Sequence, residues 1–322
     1  MYKLLLTFCV ALTAGGVWAQ DANTVYYFSP DWSSDGSQIV FESGTDGQLS
    51  IFVVDIDGNN LTQLTDTEYN DEGPVWSPDS KEIAFFSNRQ QGKDELPISL
   101  QIYVMNANGT AQRRVTHEGP ALEYKPSWSP DGSQLVFQSR PEIDPGVHSL
   151  YVIGADGKGR KRITNGQFDD ASPEWSPDGK LIVYSQSIAS YKFYRERVEG
   201  EGRSIRASAD IVVYNIEDGT ITPVTQNKFN DFDPSWNADG SEVYYLQNDT
   251  QNKTLYRQKL GQKEAIAVAD GEVVSNSGVS RTRLSPNGRF LVYNKEISGK
   301  HGLYVYDLEL KQERLLVGGP SK

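Results

Sequence analysis

The 322-residue chain contains one cysteine, two methionines and three histidines. The cysteine, Cys9, lies inside an N-terminal apolar run, so the rest of the chain has no disulfide, no thiol nucleophile and no thiolate metal site. That run, Leu4 to Ala14, is too short to span a bilayer, so no membrane span is expected. Positive charge is also scarce. Lys and Arg number 31 against 43 Asp and Glu, for a formal net charge of −12. This balance argues against nucleic acid or an anionic membrane as partner. It suits cations, or a partner with a basic patch.

The N-terminal run carries an export pattern. Lys3 supplies the positive start, and Val17-Trp18-Ala19 offers a small-residue cleavage site before Gln20. Residues 1–19 therefore read as a signal peptide, and residues 20–322 as a single exported domain, periplasmic or secreted. A large all-β core buries enough apolar surface to hold such a chain without disulfides.

A repeat dominates what is present. Pro30-Asp31-Trp32-Ser33-Ser34-Asp35-Gly36 returns, with small changes, from Pro74, Pro126, Pro173 and Pro234, and in worn form from Thr282. The copies start 44 to 61 residues apart. In the third copy, Ser129-Pro130-Asp131-Gly132 is a tight turn: proline presets φ, Asp bonds its own backbone, and Gly accepts the closing geometry. Gln134 to Gln138 is a second strand and Leu150 to Ile153 a third. Ala155-Asp156-Gly157 is a hairpin turn, and Arg160 to Thr164 an outer strand. Short strands repeating at this period predict an all-β fold, a six-bladed propeller of four-stranded antiparallel blades. The first unit opens on its own inner strand and the last ends on its own outer strand, so a monomeric ring needs no strand shared between its ends. Trp32, Trp76, Trp128, Trp175 and Trp236 occupy one place per unit and are expected to fill the gaps between blades.

These motifs resemble those of the TolB-type propellers. Ile102-Tyr103-Val104-Met105-Asn106-Ala107-Asn108-Gly109, Arg114-Val115-Thr116 and Arg162-Ile163-Thr164 match that family's hairpin and closing segments, and the likeness runs over roughly residues 25 to 317. The resemblance implies a TolB-like propeller without the N-terminal α/β domain that TolB carries, since Gln20 to Pro30 leaves no room for one. Propellers similar to the prolyl oligopeptidase type sit beside an α/β-hydrolase domain; no Gly-x-Ser-x-Gly elbow is present here.

Strand order puts the tight turns on one face and the long inserts on the other, where binding is expected. Two features converge there. Asp71, Glu123, Asp170 and Asp231 stand three residues before the aligned prolines and are expected to ring the channel mouth, with Asp233 nearby. Such carboxylates can hold Ca²⁺, through Asp71, Asp170 and Asp231, or receive a basic peptide; each can equally cap its own turn. The insert Ile188 to Ala209 supplies Tyr191, Tyr194, Arg195 and Arg197, residue types favoured in binding surfaces. No cofactor is required by any of this. The resulting expectation is a non-catalytic envelope scaffold binding a protein, peptide or glycan on the loop face. The alternative is a carbohydrate-active enzyme, a polysaccharide lyase or glycosidase working in the channel mouth. Oligogalacturonate lyases are similar propellers with a histidine-rich metal centre. Here His148 and His301 fall on opposite units and cannot share an ion.

Overall fold

The computed structural model describes residues 24–45, 48–89, 99–117, 121–141, 147–188, 208–248, 253–268 and 281–318. Twenty-four strands form six four-stranded antiparallel sheets, each built from consecutive strands. Blade 1 is β1 (Tyr26–Trp32), β2 (Gln38–Thr45), β3 (Gln48–Asp55) and β4 (Thr62–Gln63). Blade 2 is β5 (Asp71–Trp76), β6 (Glu82–Ser87), β7 (Gln101–Asn106) and β8 (Arg113–Arg114). Blade 3 is β9 (Ala121–Trp128), β10 (Gln134–Pro141), β11 (Ser149–Gly154) and β12 (Lys161–Arg162). Blade 4 is β13 (Phe168–Trp175), β14 (Leu181–Ile188), β15 (Ala209–Asn215) and β16 (Ile221–Pro223). Blade 5 is β17 (Asn230–Trp236), β18 (Glu242–Asn248), β19 (Lys253–Lys259) and β20 (Ala265–Ala267). Blade 6 is β21 (Thr282–Leu284), β22 (Phe290–Ile297), β23 (Lys300–Asp307) and β24 (Gln312–Gly318). Innermost strands of neighbouring blades touch all the way round, including β1 with β21, so the blades close into the expected propeller.

Each repeat element has a visible task. In the first turn the Asp carboxylate collects local donors: Asp35 Oδ1 accepts from Ser33 Oγ at 2.7 Å and from Ser37 N at 2.9 Å. These bonds hold Asp35 down at about 2, and bonds from Lys81 and Ser77 do the same for Asp79. The hairpin after the third strand then bonds back to the first turn in every blade. Ile56 N donates to Ser37 O, and the same bond joins Ala107 to Lys81, Ala155 to Ser133, Ile216 to Lys180, Leu260 to Ser241 and Leu308 to Arg289. The closing threonine reaches inward. Thr65, Thr116, Thr164 and Thr225 each accept, through Oγ1, the N–H of Ile51, Ile102, Leu150 or Ile211 at 2.8–3.0 Å. That side-chain bond continues the pairing just beyond the short outer strands β4, β8, β12 and β16.

The tryptophans sit between blades. Trp128 packs with Val75 and Ala84 of blade 2 and with Leu135 and Phe137 of its own blade. Trp32 does the same across the junction of blades 6 and 1, against Val292, Leu303 and Val305. Its indole Nε1 donates to Arg283 O at 3.0 Å, and Trp236 Nε1 donates to Glu174 O at 3.2 Å. Ring closure rests on these contacts and on the Arg314 bond to Ile56 O, with no strand exchanged between blades 1 and 6.

The innermost strands share a device that the repeat conceals. Ser29, Gly73, Lys125, Ser172 and Asp233 each precede the aligned proline and have φ of +48° to +60°. At each of these places the pairing with the second strand shifts register. Proline has no N–H to contribute to a ladder, so a bulge on the channel-facing strand accommodates it. Four of the five left-handed residues carry a side chain, at about 1 kcal/mol of backbone strain each.

The four acids three residues earlier are not at the channel mouth. The side chains of Asp71, Glu123, Asp170 and Asp231 are almost fully buried, and each is engaged inside its own blade. Asp71 accepts two bonds from Arg89, at 2.9 and 2.7 Å, and Glu123 pairs with Arg160 at 3.0 Å. Asp170 accepts from Gln186 Nε2 at 2.9 Å, and Asp231 from Gln247 Nε2 and Asn227 Nδ2 at 2.8 Å each. Burial makes such a pair costly to break from one side. Arg89→Leu, which leaves the Asp71 carboxylate alone, is expected to lower unfolding free energy by about 3 kcal/mol in a urea titration. Arg89→Leu combined with Asp71→Leu should recover most of that loss.

Candidate functional site: the central channel

In the five bulged blades the residues before and after the aligned proline face the channel; blade 6, with Thr282 in the proline's place and no bulge, presents Arg281 and Arg283 at the equivalent positions. Acids and bases from these positions meet in the channel. Arg283, almost wholly buried, extends from blade 6 to three carboxylates on other blades: Glu174 at 3.3 Å, Asp233 at 3.8 Å and Asp31 at 4.0 Å. Arg281 lies beside it, and Lys125 Nζ donates to Ser172 Oγ at 2.8 Å. The carboxylates in turn hold the next blade. Asp31 Oδ2 accepts Trp76 N at 2.8 Å, Glu174 Oε1 accepts Trp236 N at 3.0 Å, and Asp233 Oδ2 accepts Thr282 N at 3.3 Å. Glu42, from β2, accepts Gly73 N and Ser29 Oγ.

Burial governs the electrostatics. It raises Asp31 and Glu174, against the pull of the two arginines. It works against charge on Arg283 as well, but Glu174, Asp233 and Asp31 outweigh it and raise that group. Arg281 is lowered by burial and by Arg283. Lys125 is lowered by burial, with Arg281 and Arg283 adding to the effect. Glu72 is pushed up to about 8, by burial first and then by the neighbouring Glu42 and Asp71 charges. Burial raises Glu42 as well, against the pull of its donors Gly73 and Ser29.

On the face of the tight turns the channel opens into a cavity of about 330 Å³. Its walls are the Trp-Ser-Pro segments, and Asp31, Glu174, Arg281 and Arg283 form its floor. A cavity on the turn face was not expected from the sequence, which pointed to the loop face. Of the nine expected binding residues, Asp233 reaches the channel and the four acids do not. Tyr191, Tyr194, Arg195 and Arg197 lie outside the described residues, as does the signal segment. Asp71, Asp170 and Asp231, the three considered for Ca²⁺, occupy three different blades, each with its own partners. No group of three His, Cys, Asp or Glu side chains among the described residues is arranged to hold a metal ion. His148 bonds Asp169 through both its backbone N–H and Nδ1, at 2.9 and 2.8 Å, whereas His301 packs on Tyr26 with ring centroids 4.6 Å apart.

Sequence reasoning missed Lys125, Glu174, Arg281 and Arg283. Comparing the residues on either side of each aligned proline finds them. Counting by twos from the acids three residues earlier lands on the same positions but assigns them the acids' face, because the bulge breaks the alternation.

Glu72 makes stability depend on pH in a defined direction. Between its ordinary 4.5 and about 8, the folded chain keeps a proton that the unfolded chain has released. Stability should therefore fall as pH rises through that window and level off above it, with a slope approaching one proton, about 1.4 kcal/mol per pH unit. Denaturant titrations from pH 5 to 9 should show this slope, and Glu72→Gln should remove it.

Comparisons with known proteins agree with this architecture. A Tol-Pal system protein TolB from Francisella tularensis subsp. mediasiatica is 28% identical over 231 residues, 69% of this chain and 46% of that protein. The chain spans less than half the length of this relative, and 38% of an uncharacterized protein of Agrobacterium fabrum that it also matches. Among solved structures, TolB from Acinetobacter baumannii superposes with a TM-score of 0.63 at 17% identity, covering 90% of this chain and 62% of that one. An oligogalacturonate lyase from Vibrio parahaemolyticus gives 0.59 at 15% identity, over 91% and 78%. At these identities the structural matches show fold alone. A family profile described as the TolB beta propeller domain matches residues 17–140 and 95–205, more than half of the sequence. The chain belongs to the TolB β-propeller domain family.

Proposed function

We propose that the chain is an exported, non-catalytic propeller of the cell envelope that binds a protein or peptide segment at the turn-side mouth of its central channel. The observation that carries this reading is the cavity. Its rim, at Ser34, Pro78, Pro130, Pro177 and Ala238, offers contact area, and its floor presents charges already fixed by bonds to neighbouring blades. Fixed donors and acceptors on a rigid frame suit recognition, because little ordering remains to be done on binding. Catalytic acid–base work asks instead for a carboxylate free to exchange its proton with a substrate. Asp31, Glu174 and Asp233 are bound to backbone N–H groups. Export is supported by the Lys3-to-Ala19 pattern and by relatives named for the Tol-Pal system. No helix among the described residues is long and apolar enough to cross a membrane.

Ala238 and Ser34 are exposed residues at the rim and test the reading. A photo-crosslinking side chain at Ser34 should capture one protein in intact envelopes. Ala238→Trp in the same chain should reduce that capture at least tenfold without changing the melting temperature. Capture that persists unchanged in Ala238→Trp, or equal capture from a crosslinker on the outer strands, overturns the proposal.

A further inference from the structure

One cross-strand pair recurs between the second and third strands of the blades. It is Phe41–Phe52, Phe85–Tyr103, Phe137–Tyr151, Tyr245–Tyr256 and Tyr293–Tyr304 in blades 1, 2, 3, 5 and 6, with Tyr184–Val212 in blade 4. The five aromatic pairs are stacked, with centroids 5.7 to 6.3 Å apart. Three of them are covered by a cation of the chain itself. Arg89 Cζ lies 5.2 and 5.4 Å from the Phe85 and Tyr103 rings, and Arg160 Cζ lies 5.5 and 4.5 Å from Phe137 and Tyr151. Lys295 Nζ lies 5.7 Å from Tyr304. Each cation also meets a carboxylate: Asp71, Glu123 or Glu313, at 2.7 to 3.1 Å. Blade 1 covers its pair differently, with the Tyr27 ring 6.1 Å from Phe41.

Blade 5 has the aromatic pair and the buried acid, Asp231, but a neutral residue in the cation's place. Gln247 stands two residues after Tyr245, as Lys295 stands two after Tyr293, and its amide donates to Asp231. Burial raises Asp231 above the usual carboxylate range, and the opposing influences on it are hydrogen bonds from Gln247, Thr225 and Asn227 rather than a cation. Beside this pair lies a cleft of about 660 Å³ between blades 4 and 5. Tyr245, Tyr256, Gln247, Asn227 and Phe229 line it, and Lys263 is the one charged residue among its described lining.

We propose that the blade 4–5 cleft is a binding site for the guanidinium group of an arginine side chain presented by a polypeptide partner. The cation takes the place over the Tyr245–Tyr256 pair that Arg89 and Arg160 occupy in blades 2 and 3. A planar guanidinium stacks on aromatic faces and sheds water more readily than an ammonium. Asp231, one layer behind Gln247 and Asn227, supplies the attracting charge across a short, poorly screened distance. The net negative chain favours the approach of a basic segment. The cleft lies at the side of the ring, and the proposal does not depend on the function assigned to the channel.

The test is titration of the intact protein with N-acetyl-argininamide, followed by calorimetry and by the Tyr245 and Tyr256 ring resonances. Saturable binding with Kd in the millimolar range is expected, with at least tenfold weaker binding of the neutral isostere N-acetyl-citrullinamide. Asp231→Asn and Tyr256→Leu should each weaken binding about tenfold, whereas the rim variant Ala238→Trp should leave it unchanged. Gln247→Lys should install the chain's own cation, raise the melting temperature and abolish binding. Equal binding of the two ligands, no saturable binding, or binding that appears only in Lys263→Ala overturns the proposal. The last result would mean that Lys263 already fills the site. Loss of folding in Asp231→Asn would leave Gln247→Lys and the citrulline comparison to decide.

Discussion

The channel depends on one strained backbone position, the left-handed residue in front of the aligned proline. Without the bulge it makes, the innermost strand would stay in regular register with its neighbour, and the residues flanking the proline would keep the regular alternation. With it, Asp31, Glu174 and Asp233 reach Arg283 of blade 6, tying that blade to both its neighbours and, through Glu174, to blade 4. The strain is local and the return is distributed, because each carboxylate reached in this way also holds a backbone N–H of the next blade. Four non-glycine residues in this conformation, at one position of a repeat, mark where the structure gives up backbone comfort for side-chain placement.

The blades are alike in frame and unlike in filling. The aromatic cross-strand pair is a constant site, and what covers it varies from a tyrosine ring to an arginine, a lysine or a cleft. The buried acid varies less than its partner does. An acid with an arginine and an acid with a glutamine satisfy the same lone pairs, but the first leaves the interior neutral and the second leaves it negative. Burial accordingly pushes Asp170, whose side-chain donors among the described residues are Gln186 and Thr164, up to about 6.

The fold was legible because its signals are local and repeated. The turn chemistry of Ser-Pro-Asp-Gly, the apolar second strand and the closing threonine each act within one blade, and six copies give the ring. β1 at Tyr26–Trp32 and a complete outer strand from Gln312 follow from that pattern directly. The channel was less legible. Its contacts join residues as far apart as Asp31 and Arg283, and their facing depends on a bulge that hydrophobic alternation does not announce. The four acids were found because they align, but alignment does not give direction. Their side chains turn into the blade, where an arginine or an amide supplied by another strand meets them.

The seam between the first and last blades gives the ring a particular mechanics. Every other junction is crossed by continuous chain, whereas this one is held by an indole hydrogen bond, a packed apolar cluster, the Asp31–Arg283 ion pair, the Tyr26–His301 ring contact and an arginine on a carbonyl. No ladder among the described strands crosses it, so side chains carry its cohesion. The molecule is in this sense a split washer. Its cut edges are pressed together by side chains, with Trp32 seated between blades 6 and 1 as the wedge.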